Sequence, residues 1–155
     1  MLFSILLWVH ILSAITALGA NITYFPWLFR VQKNPQSLGF TLRTIKILDD
    51  WVANPAYVLA LFTGDGLIRT ADAAEGFSYQ TPWILVALVL YAVVSVLGLF
   101  VYSPLLKKQI KLAESVGADA PEYRRVANTG LYLGFAIVAL TVVITFLMAV
   151  KPQLW

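Results

Sequence analysis

The stretch MLFSILLWVHILSAITALGANITYFPWLFR, residues 1–30, contains no Lys, Arg, Asp or Glu before its last residue. Crossing the hydrocarbon core of a bilayer takes roughly 20 apolar residues in a helix, so this stretch is long enough to span. Small and polar side chains recur on it at helical spacing: His10, Ala14, Ala17, Asn21 and Tyr24. A helix in lipid turns such a stripe toward other helices. The stretch therefore predicts a membrane span with one face packed inside the protein.

A cleavable signal peptide is an alternative interpretation of the same stretch, because residues 17–20 resemble a cleavage site with small side chains. Signal peptides begin with a positively charged region, but residues 1–4 carry no basic side chain. The apolar run also continues well past residue 20 to Phe29. We therefore expect the stretch to be retained as the first helix.

The composition agrees with a membrane chain, since 60% of the residues are hydrophobic and 12% are charged. Soluble domains average about 25% charged residues. A length of 155 residues predicts one domain, residues 1–155. The absence of cysteine excludes disulfides and thiolate metal sites. The net charge of +3 comes from basic residues beside apolar runs, so we predict no nucleic-acid partner.

Four apolar runs have spanning length, at residues 2–29, 51–68, 82–102 and 131–150. The second run follows Asp49-Asp50, which favours a helix start, and carries Pro55 near its beginning. The segments between runs one and two and between runs three and four hold nine of the eleven Lys and Arg residues. The positive-inside rule places both segments in the cytoplasm and both termini outside.

The predicted fold is all-α, an antiparallel four-helix membrane bundle with a cytoplasmic helical hairpin between helices 3 and 4. Residues 105–116 extend the third helix in helix-compatible side chains, and a turn follows at 117–120. Asp119 and Pro121 resemble a cap and a first-turn residue. The fourth helix is then predicted to run unbroken from Pro121 to Val150. The first cytoplasmic segment mixes apolar and basic residues, which favours an interfacial segment over a free linker.

His10 is the leading candidate for chemistry, because ionisable groups inside a bilayer are costly and often functional. Depth counting places Tyr91, Thr141 and Thr145 at a similar level. One interpretation is structural: neutral His10 donates a hydrogen bond to one of these hydroxyls. The other interpretation makes His10 a metal ligand, the axial ligand of a haem iron, or a contact to a tetrapyrrole or quinone head group. The sequence alone leaves both interpretations open.

The candidate cofactor-binding set is His10, Asn21, Tyr24, Tyr91 and Thr141. Asn21 and Tyr24 either line a cavity in the inner half of the membrane or bridge helices. Asp65, between two glycines, either binds a cation or a basic partner group, or reaches out to the interface. Met148 is a second axial ligand in principle, but it lies about two residues from the outer end of its helix, much shallower than His10.

Several short motifs carry a family resemblance over nearly the whole chain: Trp8-Val9-His10, Gly19, the stretch from Tyr24 to Arg30, Thr63-Gly64, and the stretch from Met148 to Pro152. The chain resembles bacterial proteins described only as "predicted integral membrane protein", a domain of unknown function. It is more distantly similar to HemJ-type protoporphyrinogen oxidases and copper-resistance D-like membrane proteins. HemJ-type proteins are haem-associated and carry a first-helix histidine where this chain has His10. They also carry a functional Lys in helix three, which residues 83–88 lack.

The resemblance implies a bacterial inner-membrane protein that binds haem b or another tetrapyrrole through His10, in a redox or cofactor-handling role. The absent Lys argues against the oxidase activity, and we predict no catalytic residue. The alternative is a non-catalytic accessory or assembly subunit of a larger membrane complex. Because the chain has one histidine, haem would be five-coordinate or shared by two copies. The expected partners are membrane lipids and either a second copy or a larger complex.

Overall fold

A computed structural model describes residues 1–31, 33–71 and 77–155, and all regular structure among them is helical. The α-helices are α1 (Leu2–Val31), α2 (Leu38–Leu48), α3 (Asn54–Thr70), α4 (Pro82–Val96), α5 (Ser103–Ser115) and α6 (Pro121–Val150). A short 3-10 turn, Pro35–Ser37, precedes α2. The all-α class is confirmed for this part of the chain.

Three helical stretches among the described residues are long and apolar enough to cross a membrane: Leu2–Val31, Pro82–Ser115 and Pro121–Val150. The second predicted run falls largely on α3, which is helical but is not one of the three. Many large apolar side chains point outward, including Phe62, Phe100 and Tyr132, each at least 68% exposed. An outer surface of this kind fits lipid better than water.

The predicted helix start at Asp49-Asp50 is wrong, because α2 continues into α3 through a π-helical segment, Asp49–Ala53. The Asn54 backbone N–H donates to the Asp49 carbonyl, one residue further back than in an α-helix. Pro55 follows directly and has no N–H to donate, while its ring clashes with the carbonyl four residues earlier. The widened turn accommodates the proline. Acidic residues and a proline thus mark a bulge within one helix.

The same arrangement joins α4 to α5. The π-helical segment Leu97–Tyr102 ends with the Ser103 backbone N–H donating to the Gly98 carbonyl, and Pro104 follows. The third helix therefore extends beyond the apolar run to Ser115, as the sequence predicts. The two bulges matter for the site, because residues from both of them line a cavity between the helices.

The turn after α5 depends on Gly117, whose φ of +84° lies in the left-handed region that side chains disfavour. The prediction that the last helix runs unbroken from Pro121 to Val150 is confirmed. The Asp119 side chain does not cap this helix. It instead accepts a hydrogen bond from the Arg124 guanidinium at 2.9 Å.

The most extensive helix contact is between α1 and α3, and α4 packs mainly on α6. A Cβ built on Gly66 would meet Leu6 near the start of α1, whereas the Asn21 amide further along α1 contacts Tyr57 near the start of α3. These two contacts show that α1 and α3 run in opposite directions. By contrast, α3 and α4 barely touch each other. The stripe predicted on α1 does face the protein, since Ala17 is 1% and Tyr24 3% exposed.

Candidate functional site

A cavity of about 170 Å³ lies between α1, α3, α4 and α6, beside the two π-helical segments. We call it the tyrosine cavity. Its polar lining side chains are Asn21, Tyr24, Asp49, Asn54, Tyr57, Tyr91, Ser95 and Tyr102. The remaining walls are apolar, apart from two glycines. A mostly apolar chamber with a few convergent polar groups is the usual character of a small-molecule site.

Tyr57 is the centre of a hydrogen-bond chain that crosses three helices. The Asn21 amide of α1 donates to the Tyr57 hydroxyl at 2.7 Å. The Tyr57 hydroxyl lies 3.3 Å from the Thr141 hydroxyl, which itself donates to the Ile137 carbonyl of α6. Because Thr141 spends its hydrogen on that carbonyl, Tyr57 must be the donor in the bond between them. The hydrogen bonds therefore all run in one direction, from α1 through Tyr57 to α6, and the Tyr57 hydroxyl has no hydrogen left to donate to another group.

Tyr91 supplies a direct link between α3 and α4. Its hydroxyl donates to the backbone carbonyl of Tyr57 at 2.5 Å, and the two rings meet edge to face with centroids 6.3 Å apart. Since α3 and α4 otherwise make few contacts, this pair holds one side of the cavity together.

Tyr24 differs from its neighbours, because its hydroxyl is buried without a hydrogen-bond partner in the described part of the chain. The side chain lines the tyrosine cavity together with Asp49, Tyr57 and Tyr102. A buried polar group without a partner costs free energy comparable to a lost hydrogen bond. The cavity therefore contains an unspent hydrogen-bond donor.

Asp49, which is 6% exposed, also lines the cavity. Burial raises the pKa of the Asp49 carboxyl to about 6, and the nearby Asp50 adds to the rise. The Lys46 ammonium, whose Nζ is 3.9 Å from the Asp49 Oδ2, and the Asn54 amide favour the ionised form of Asp49. Both therefore offset part of this rise in pKa. Lys46 also pairs with Asp50 one turn further along the helix. This carboxyl therefore binds its proton more tightly than an ordinary aspartate does.

His10 lies outside the cavity lining, where α1 meets the far half of α3. Its Nδ1 is 2.9 Å from the Ala60 carbonyl and 3.2 Å from the Thr63 hydroxyl oxygen. A carbonyl only accepts, so Nδ1 carries the hydrogen and the neutral ring keeps its lone pair on Nε2. A Cβ built on Gly64 would stand 3.1 Å from the His10 Cε1, so this glycine makes room for the ring.

The structure brings four of the five predicted site residues together and leaves His10 apart. Asn21, Tyr24 and Tyr91 line the cavity, and Thr141 joins it through Tyr57. Asn21 both lines the cavity and bridges helices. His10 precedes Asn21 by about 16 Å of helical rise. The hydroxyl beside its ring belongs to Thr63, whereas depth counting pointed to Tyr91, Thr141 or Thr145.

Two further predicted candidates have structural partners. Asp65 pairs with the Arg69 guanidinium at 2.7 Å and accepts from the Tyr79 hydroxyl. Met148 packs on the apolar cluster around Trp83 and Leu147. Within the described ranges, no three His, Asp or Glu side chains gather in a way that could hold a metal ion.

Four further residues line the cavity but are not among the site residues predicted from the sequence: Asp49, Asn54, Tyr57 and Tyr102. The signal for two of them was present, because Asn54 and Tyr57 are three apart and so share one face of α3. Asp49 lies one bulged turn before them. Because Asp49, Asp50 and Pro55 together predict a helix start, the sequence gives no reason to place Asp49 on the same helix face as Asn54 and Tyr57.

Comparison with protein-family models matches residues 4–152 of the chain to a family of known sequence. It is the family described as "predicted integral membrane protein (DUF2269)". No curated protein and no solved structure matches the chain, so the likeness to HemJ-type and copper-resistance D-like proteins stays a prediction. With several apolar helices and a match over nearly its full length, the chain belongs to the DUF2269 family of integral membrane proteins.

Proposed function

We propose that this protein binds a haem or related tetrapyrrole through the Nε2 atom of His10, in a redox or cofactor-handling role. The observation that carries the proposal is the hydrogen bond from His10 Nδ1 to the Ala60 carbonyl. Histidines that bind metals almost always donate their other ring nitrogen to a carbonyl, a carboxylate or water, which fixes the tautomer and orients the ring. His10 has this arrangement, with its remaining lone pair on Nε2.

The residues around His10 fit an axial ligand. Gly64 leaves space beside the ring, and Thr63 adds a second acceptor for the Nδ1 hydrogen. The tyrosine cavity is too small for a tetrapyrrole, because a cavity of about 150 Å³ holds a single benzene ring. A tetrapyrrole held by His10 would therefore have to be accommodated outside this cavity. A bound haem supplies one-electron chemistry, whose potential depends on its axial ligands.

The proposal includes a membrane arrangement. The chain would form an antiparallel four-helix bundle in the bacterial inner membrane, with α3 as the shortest span and both termini outside. The basic residues near the α1–α2 and α5–α6 connections support this orientation. His10 would then lie in the outer half of the bilayer, and the α5–α6 hairpin would project into the cytoplasm.

A haemin titration of the purified protein in lipid nanodiscs tests the proposal. We expect a saturable Soret band in the wild type and its loss in His10→Ala. Tyr132→Phe is the control, because this side chain is 74% exposed and lies outside both sites. Stoichiometry shows how many chains hold each haem: one haem per chain would indicate a haem held by a single His10, and one per two chains a haem shared by two copies. An unchanged titration in His10→Ala would refute the assignment.

A further inference from the structure

We infer that the tyrosine cavity binds the head group of a lipophilic quinone, a flat ring with carbonyl oxygens that enters sideways from the membrane. This site is separate from His10 and goes beyond the proposed haem binding. The inference combines the size of the cavity, its opening toward lipid and the unpartnered hydroxyl of Tyr24.

The volume limits the ligand to one ring. An engineered apolar cavity of about 150 Å³ accepts benzene, so about 170 Å³ suits a single substituted six-membered ring. The same space would hold about five waters at roughly 30 Å³ each, but its walls are mostly apolar. A ring that carries a small number of polar atoms matches this combination of size and lining.

The opening faces the hydrocarbon. Val58 and Leu61 of α3 and Leu99 of the second π-helical segment line the cavity, yet each is 44–49% exposed on the outer surface. These residues flank the gap where α3 and α4 barely touch. A ligand with an apolar tail could place its ring between the helices and leave the tail in lipid, and a water-soluble ligand would have no reason to use this path.

The lining favours a neutral group that accepts hydrogen bonds. The Tyr24 hydroxyl has no hydrogen-bond partner in the described ranges, and Tyr102 lines the same cavity. Tyr57 and Tyr91 already spend their hydroxyl hydrogens within the protein. The Asp49 carboxyl in the cavity lining disfavours anions such as phosphates and fatty-acid carboxylates, because like charges repel. A quinone offers carbonyl acceptors and no charge.

The test measures binding of decylubiquinone, a one-ring quinone with a ten-carbon tail, to the full chain in nanodiscs by quenching of tryptophan fluorescence. We expect saturable binding with one site per chain. Tyr24→Phe should weaken it about fivefold to tenfold, the loss of one hydrogen bond. Tyr132→Phe is the matched control and should bind like the wild type, because its hydroxyl is outside the cavity.

A second variant blocks the space itself. Gly98 lines the cavity, and a Cβ built there meets nothing within 4 Å, so Gly98→Leu should fold and fill the chamber. Gly19→Leu is its control, since a Cβ at Gly19 also meets nothing within 4 Å and the residue lies outside the lining. We expect Gly98→Leu to abolish binding and Gly19→Leu to preserve it.

Three results would each overturn the inference. Wild-type affinity in both Tyr24→Phe and Gly98→Leu would show that the quinone binds elsewhere. Equal binding of decanol would show that an alkyl chain alone is recognised. A linear, non-saturating signal would show that the probe only partitions into lipid and that water fills the cavity. None of these results depends on haem, so failure here leaves the His10 proposal standing.

Discussion

Removing one hydroxyl from Tyr57 should destabilise the protein more than the same change at any other tyrosine of the cavity. Tyr57→Phe deletes both the 2.7 Å bond from Asn21 and the 3.3 Å bond to Thr141. Side-chain hydrogen bonds in membrane helices contribute on average about 0.6 kcal/mol and at most about 1.7 kcal/mol. The Asn21 amide would also lose its acceptor. We therefore expect a loss of roughly 1–3 kcal/mol in the free energy of unfolding.

Two other tyrosines give matched controls, because the same atom is removed from a different environment. Tyr24→Phe in ligand-free protein should be neutral or stabilising by up to about 1 kcal/mol, since its buried hydroxyl has no partner. Tyr132→Phe should change stability by less than about 0.5 kcal/mol, since the side chain is exposed. Equilibrium unfolding in mixed micelles, followed by tryptophan fluorescence, measures all three.

The order of the three variants is the result that matters. If Tyr57→Phe unfolds no more easily than Tyr132→Phe, the hydrogen-bond chain contributes nothing measurable. If Tyr24→Phe is as destabilising as Tyr57→Phe, the Tyr24 hydroxyl has a hydrogen-bond partner in the ligand-free protein. It would then not be a free donor for a ligand in the cavity.

Two further changes test the histidine and the buried carboxyl. Gly64→Val should lower the free energy of unfolding by about 1–3 kcal/mol relative to Gly19→Val, because its Cβ would stand 3.1 Å from the His10 Cε1. Asp49 binds its proton more tightly in the folded state, with a pKa raised from 3.8 to about 6, so stability should fall as the pH rises from 4 to 6. The full loss is about 3 kcal/mol, from roughly 1.36 kcal/mol per unit of the pKa difference; about 2 kcal/mol of it falls between pH 4 and 6, and Asp49→Asn should remove it.

The same unfolding assay decides both predictions. Equal stability of Gly64→Val and Gly19→Val would mean that the His10 ring is not held against α3. Stability that rises between pH 4 and 6, or an unchanged pH dependence in Asp49→Asn, would mean that Lys46 controls the Asp49 carboxyl more strongly than burial does.

The long helices could be predicted because their signal is local. The absence of charge before Arg30 and the run after Pro121 each predict a helix directly, and both are found. The junction at Asp49 could not be predicted in the same way. Acidic residues and Pro55 have the pattern of a helix start, yet α2 continues into α3 through a bulge, and α2 also packs against α5.

The site was predicted in part for a related reason. Asn21 and Tyr24 could be selected because the stripe on α1 is periodic within one helix. That Asn21, Tyr24 and Tyr57 line one cavity depends on the register between helices, which is a long-range property that no single segment encodes. The partner of His10 is a backbone carbonyl, at Ala60, and side-chain patterns cannot reveal such a contact.

The central claim, that His10 is a haem ligand, is tested most directly by the absorption spectrum of the protein purified in mild detergent from cells supplied with haem precursor. We predict a Soret band that shifts on reduction with dithionite and is absent from His10→Ala prepared in parallel. A colourless wild-type protein, or a band of equal intensity in His10→Ala, would contradict the claim.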